Sequence, residues 1–143
     1  MTTIKTLKYS PEAKIPLHRL PFISKKSPNI GGMSFWSVPK TGGYGGGCNT
    51  GEALAYSYLK HLREHGSSTC GTLQLIALYM LETGTSDDSI KGQAVGFFST
   101  LEDWLAAGAQ KDGASLDELK ETFLIQQANR GLSDISDSLN NEE

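Results

Sequence analysis

All five prolines of this chain, at positions 11, 16, 21, 28 and 39, fall within its first 39 residues. Each removes a backbone N–H and holds its predecessor in an extended conformation, so no long helix fits there. The segment is expected to be extended, with short apolar groups at 15–17 and 20–23 forming edge strands or an arm over the core. In the string GGMSFWSVPKTGGYGGG that follows, residues 33–38 read as one strand and the surroundings of Tyr44 as a second, shorter one. Half of the 16 glycines lie between positions 31 and 51.

From there the apolar residues recur with a helical period. A first helix is predicted over 51–65, capped by Asn49 with Glu52 three residues on, with Ala55, Tyr58, Leu59 and Leu62 on one face and Gly66 ending it. The second, over about 70–83, carries leucine, isoleucine, tyrosine and methionine nearly all round, the pattern of a helix covered on most sides. The third starts near Asp88 or Ser89 and stops at Gly108, with Ile90, Ala94, Phe97, Phe98, Leu101, Trp104 and Leu105 at steps of three and four. Gly92 and Gly96 lie one turn apart inside it. Each costs about 1 kcal/mol of helix propensity against alanine, a loss that close approach of a neighbouring backbone would offset. A fourth helix is predicted from a capping box at Ser115 and Glu118 to Gly131, with Leu116, Leu119 and Phe123 facing inward.

The fold class expected is α+β: an extended glycine- and proline-rich N-terminal part with one or two short strands, then about four helices in one domain. At 143 residues the chain is long enough for one core and short for two. That domain is placed at 1–131, with residues 1–50 extended and 51–131 helical, followed by a disordered acidic tail at 132–143.

Charge is distributed unevenly. The net charge is -3, with an excess of +6 over residues 1–40, -5 over 41–131 and -4 over 132–143. A basic arm of this kind can meet an acidic partner or lie against the chain's own acidic helices. No stretch approaches the roughly 18 apolar residues of a membrane span, and the N-terminus lacks the apolar run of a secretion signal, so no membrane role and a cytoplasmic location are expected. Cys48 and Cys70 are read as free thiols in that setting. His18, His61 and His65 are not read as a zinc site, and no metal or other cofactor is expected.

Three features bear on chemistry. The string TGGYGGGCNTGEALA, residues 41–55, reads as a loop entering a helix, and Gly43, Tyr44, Gly45 and Gly46 in it present free amides to an anion or a partner. It completes neither a Walker loop nor a dinucleotide fingerprint. Cys48, read as preceding that helix, is a candidate nucleophile for an enzyme or ligand-binding domain, with His18 as the available base, because thiol catalysis needs an imidazole in reach. Phe35 and Trp36, beside the basic arm with Lys25, Lys26 and Lys40, resemble a stacking platform for single-stranded nucleic acid. Alternation along 34–38 sets Phe35 and Trp36 on opposite faces, so one of the two is expected in the core.

GEALAYSYLKHLREHG, residues 51–66, resembles a helix of the plasmid- and phage-borne antirestriction proteins of the ArdB type. RLPFI at 19–23 is loosely similar to an N-terminal segment of that family, and GFFSTLEDWLAAGA at 96–109 to its later amphipathic helix. The aromatic and double-glycine signal FWSVPKTGGY precedes the GEAL helix here, where the family has a comparable signal after it. The resemblance implies a small non-catalytic protein from a mobile element that protects incoming DNA by acting on host proteins. The expected function is thus protein interaction against a host defence system, through the basic arm with Lys25, Lys26, Trp36, Lys40 and the 42–47 loop.

Overall fold

The computed structural model describes residues 7, 17, 20–25, 32–40, 42–66, 71–84 and 86–133. His18, Lys26, Cys70 and the acidic tail from 134 onward lie outside them. Within the described residues the chain is α+β and mostly helical. A two-stranded antiparallel sheet pairs β1 (Ser24–Lys25) with β2 (Met33–Ser34), Ser24 opposite Ser34 and Lys25 opposite Met33. Five helices follow: α1 (Gly43–His65), α2 (Thr72–Thr83), α3 (Asp88–Lys111), α4 (Gly113–Asp117) and α5 (Glu121–Ser133). The chain divides into two compact units, 1–103 and 104–143.

The core of the first unit is an aromatic cluster. Phe22, Trp36, Tyr58 and Phe97 meet with ring centroids 5.1–6.2 Å apart, mostly tilted or edge-on, the arrangement that ring quadrupoles favour. Leu20, Leu54, Ala55, Ile76, Met80 and Leu101 close round it. The proline-rich start therefore supplies core residues, and the Ser37 N–H donates to the Phe22 carbonyl at 2.7 Å to hold its two stretches together. Trp36 is the buried member of the 35/36 pair, whereas Phe35 packs half-buried against Tyr79. Tyr79 in turn donates its hydroxyl to the Met33 carbonyl at 2.9 Å, tying α2 to β2.

The glycine-rich string is helix, which corrects the loop expected there. α1 begins at Gly43, eight residues before the predicted start at 51, and Tyr44 through Gly51 form its first two turns. Asn49 and Glu52 consequently lie inside the helix and do not cap it, and no strand forms around Tyr44. Low glycine propensity argues against helix here, but tertiary packing overrides it. A Cβ on Gly47 or Gly51 would lie within 3.0 Å of backbone atoms of Ser89, Gln93 or Phe97, and a Cβ on Gly92 or Gly96 would meet the carbonyls of Tyr44 or Cys48. The two helices thus cross backbone to backbone through Gly47-x-x-x-Gly51 and Gly92-x-x-x-Gly96. The close approach anticipated for Gly92 and Gly96 is present, with α1 as the neighbour.

Beside the crossing, Gln93 is fully buried and satisfied. It accepts from the Trp36 indole at 2.9 Å and donates to the Pro39 carbonyl at 3.0 Å and to Ser89 Oγ at 3.4 Å. An unmade hydrogen bond at such a depth costs about 1–3 kcal/mol, so this side chain fixes where the extended segment meets α3. The start of α3 is capped by Asp87, whose Oδ1 accepts from the Ser89 and Ile90 N–H groups at 2.9 and 3.3 Å.

Other boundaries move as well. Gly66, at φ 70°, ends α1 as expected, its N–H donating to the Leu62 carbonyl at 2.7 Å. α2 is fully buried along Thr72, Ile76 and Met80, with Leu73 and Tyr79 half-buried against the core, and leaves Leu78 and Leu81 exposed, although its composition suggested burial on most sides. α3 passes through Gly108 and continues to Lys111. The single fourth helix is two, broken over 118–120, and Ser115 sits inside α4 with its hydroxyl on Asp112 at 3.0 Å, where a cap was expected.

In the second unit, no described residue from 104 to 132 is buried. Leu116, Leu119 and Phe123, expected to face inward, are each about half exposed.

Candidate functional site

Among the described residues, those singled out in the sequence are spread over β1, the segment before α1 and the first turns of α1. Lys25 is exposed on β1. The Lys40 ammonium pairs with Asp87 at 3.2 Å across an exposed surface. Trp36 is 5% exposed and belongs to the core, so it offers no face for stacking a base. Gly43, Tyr44 and Gly45 are exposed in the first turn of α1, with Gly46 half-buried behind them. Gly43 has φ 70°, a left-handed conformation that side chains rarely adopt, and this sets the entry of the chain into the helix.

Cys48 lies in the second turn of α1, where the sequence reading placed it ahead of the helix. It is half-buried, with its carbonyl against Gly96. Its polar neighbour is the Tyr44 hydroxyl: the hydrogen bond with Cys48, then the charge the sulfur would carry, then burial, push the Tyr44 phenol above its ordinary range. His61 and His65 follow 13 and 17 residues later on the same helix, about 20 and 25 Å further along at 1.5 Å per residue. They are out of reach of that thiol.

Asp87 is held below the ordinary carboxylate range, first by its hydrogen bond with Lys40 and then by the Ile90 N–H, against a smaller opposing effect of burial. Burial raises the Tyr58 phenol. Both shifts belong to structural groups, one capping α3 and one lining the core.

Two features stand out that the sequence reading missed. The first is the run from Trp104 to Leu132, where eight large apolar side chains stand 39–76% exposed. On α5 they form a stripe, since Leu124, Ile125, Ala128 and Leu132 share one helical face while Gln126, Asn129 and Arg130 occupy others. Its helical spacing was legible, but the same spacing describes a buried face. The second is on the last two turns of α1, where the His61 and His65 rings approach to 4.7 Å between centroids, and the ring of buried Tyr58 stacks on His61 at 6.2 Å and 18°. The order His61-Leu62-Arg63-Glu64-His65 is the H-x-x-E-H spacing that brings two imidazoles to one side of a helix. Glu64, between them in sequence, takes the Arg63 Nε at 3.2 Å.

No protein-family model, curated protein or solved structure matches the chain.

Proposed function

We propose that this chain is a non-catalytic protein-interaction module whose second unit presents an amphipathic helix to a protein partner. One observation carries the reading: every described side chain from 104 to 132 is exposed to some extent, Trp104 at 56% and Leu132 at 76%, while the first unit has a closed core. A helix of 13 residues such as α5 is marginal in water by itself. Its stability comes from covering its apolar face, and an exposed apolar helix face of this kind is what an interaction site presents. The matching partner is a protein with an apolar groove that takes an amphipathic helix through anchors one turn apart.

The finer reading, an inhibitor of a host defence system carried by a phage or plasmid, is part of the proposal and is supported by the resemblance of residues 51–66 and 96–109 to the ArdB-type antirestriction proteins. Charge is compatible with it, because the basic excess over residues 1–40 provides a second point of attachment for an acidic protein partner.

A photo-crosslinking amino acid placed at Ile125 or Leu132 tests the module, with Lys60 on α1 as the control position. In bacteria carrying a restriction system, the proposal expects a discrete adduct from the two α5 positions, its loss in a Leu124→Asp, Leu132→Asp variant, and protection of unmodified incoming DNA that disappears with the adduct. Equal crosslinking from Lys60, or protection that survives the double substitution, would remove the surface from consideration.

A further inference from the structure

We propose that His61 and His65 form a chelating site for a divalent transition-metal cation of borderline softness, Zn²⁺, Ni²⁺ or Cu²⁺. Neutral imidazole is the commonest protein ligand for these ions, and a helix sets two such rings side by side when they lie four positions apart. The rings are already together, with centroids 4.7 Å apart and planes inclined at 33°. Two nitrogens bound at about 2.0–2.1 Å to one ion and separated by a roughly right-angled to tetrahedral bite place the ring centres at a spacing of this order. One half of the arrangement is held beforehand. Tyr58, 3% exposed, stacks nearly parallel on His61, and α1 places His65 one turn further on, so the cost of ordering falls mainly on the exposed His65 ring.

A catalytic zinc needs three protein ligands and an open position. Among the described residues no group of three histidine, cysteine, aspartate or glutamate side chains could hold a metal. The inference is therefore confined to chelation by two imidazoles, with the remaining positions open to water or to a ligand from a bound protein. The site lies in the first unit and does not depend on the exposed face of α5.

The test uses the full chain without a histidine tag. Calorimetric titration with ZnCl₂ is expected to show one ion bound per chain, and sub-stoichiometric Ni²⁺ should broaden the His61 and His65 ring resonances before any others. His65→Gln, at an exposed position, keeps the helix by circular dichroism and weakens Zn²⁺ binding by at least about tenfold, the scale on which a metal site responds to loss of a supporting group. Saturating Zn²⁺ raises the unfolding midpoint of the wild type and not that of His65→Gln. A His61→Ala, His65→Gln chain that binds Zn²⁺ as the wild type does, broadening that begins elsewhere, or an absence of heat at millimolar zinc would each overturn the site.

Discussion

The carbonyl oxygen of Cys48 occupies the place where a Cβ on Gly96 would stand, so α1 and α3 touch through backbone at that point. The reciprocal contacts, Gly51 against Gln93 and Gly92 against Tyr44, repeat this along the crossing. Cα hydrogens facing carbonyl oxygens are a recurrent feature of helices packed this closely.

Alanine separates the packing role of these glycines from their conformational one. Gly51→Ala and Gly96→Ala are expected to destabilise the chain by about 1–3 kcal/mol or more, since neither backbone can yield without opening the crossing. Gly108, inside α3 with open space around it, should behave oppositely, and Gly108→Ala is expected to stabilise by up to about 1 kcal/mol. Urea unfolding of the three variants checks both signs; destabilisation at 108 equal to that at 96 would count against the crossing.

The Gln93 network should be non-additive. Gln93→Leu leaves the Trp36 indole and the Pro39 carbonyl without their buried partner, a loss of about 1–3 kcal/mol. Trp36→Phe opens a gap among the aromatic rings and leaves Gln93 Oε1 without its donor. A double-mutant cycle measured by chemical denaturation is expected to return a coupling of about 0.5–3 kcal/mol, and additive single effects would contradict the bond.

Acid should loosen the start of α3. The Asp87 carboxyl is depressed by Lys40 and by the Ile90 amide, and a group depressed in the folded state contributes stability above its unfolded value that is lost as pH falls through the folded one. The window is therefore below about pH 4. The thermal midpoint of the wild type should fall more steeply there than that of Asp87→Asn, which starts lower at neutral pH. Parallel profiles would show that Asp87 carries no such linkage.

The two tryptophans should report on the two units separately. Trp104 is 56% exposed and Trp36 5%, so acrylamide should quench two distinct populations, the accessible one vanishing in Trp104→Phe. Leu132→Asp on α5 is expected to change the unfolding midpoint by less than about 0.5 kcal/mol equivalent, the usual size for an exposed position, while removing partner capture.

Much of this fold was determined by the sequence alone. Proline spacing called for extended backbone where the described residues form β1 and β2, the 3.6 period placed α2 and α3, Gly66 ended α1, and Gly92 with Gly96 announced a close neighbour. Tertiary structure decided the rest. The 43–51 string is helical because a second pair of glycines meets the first, and no local preference records a partner 45 residues away. Burial of α2 and exposure of 104–132 were equally hidden, because periodicity tells which residues share a face and not whether anything covers it. The imidazole pair lay in plain view as H-x-x-E-H, yet the stacking of buried Tyr58 on His61 appears only in the folded chain.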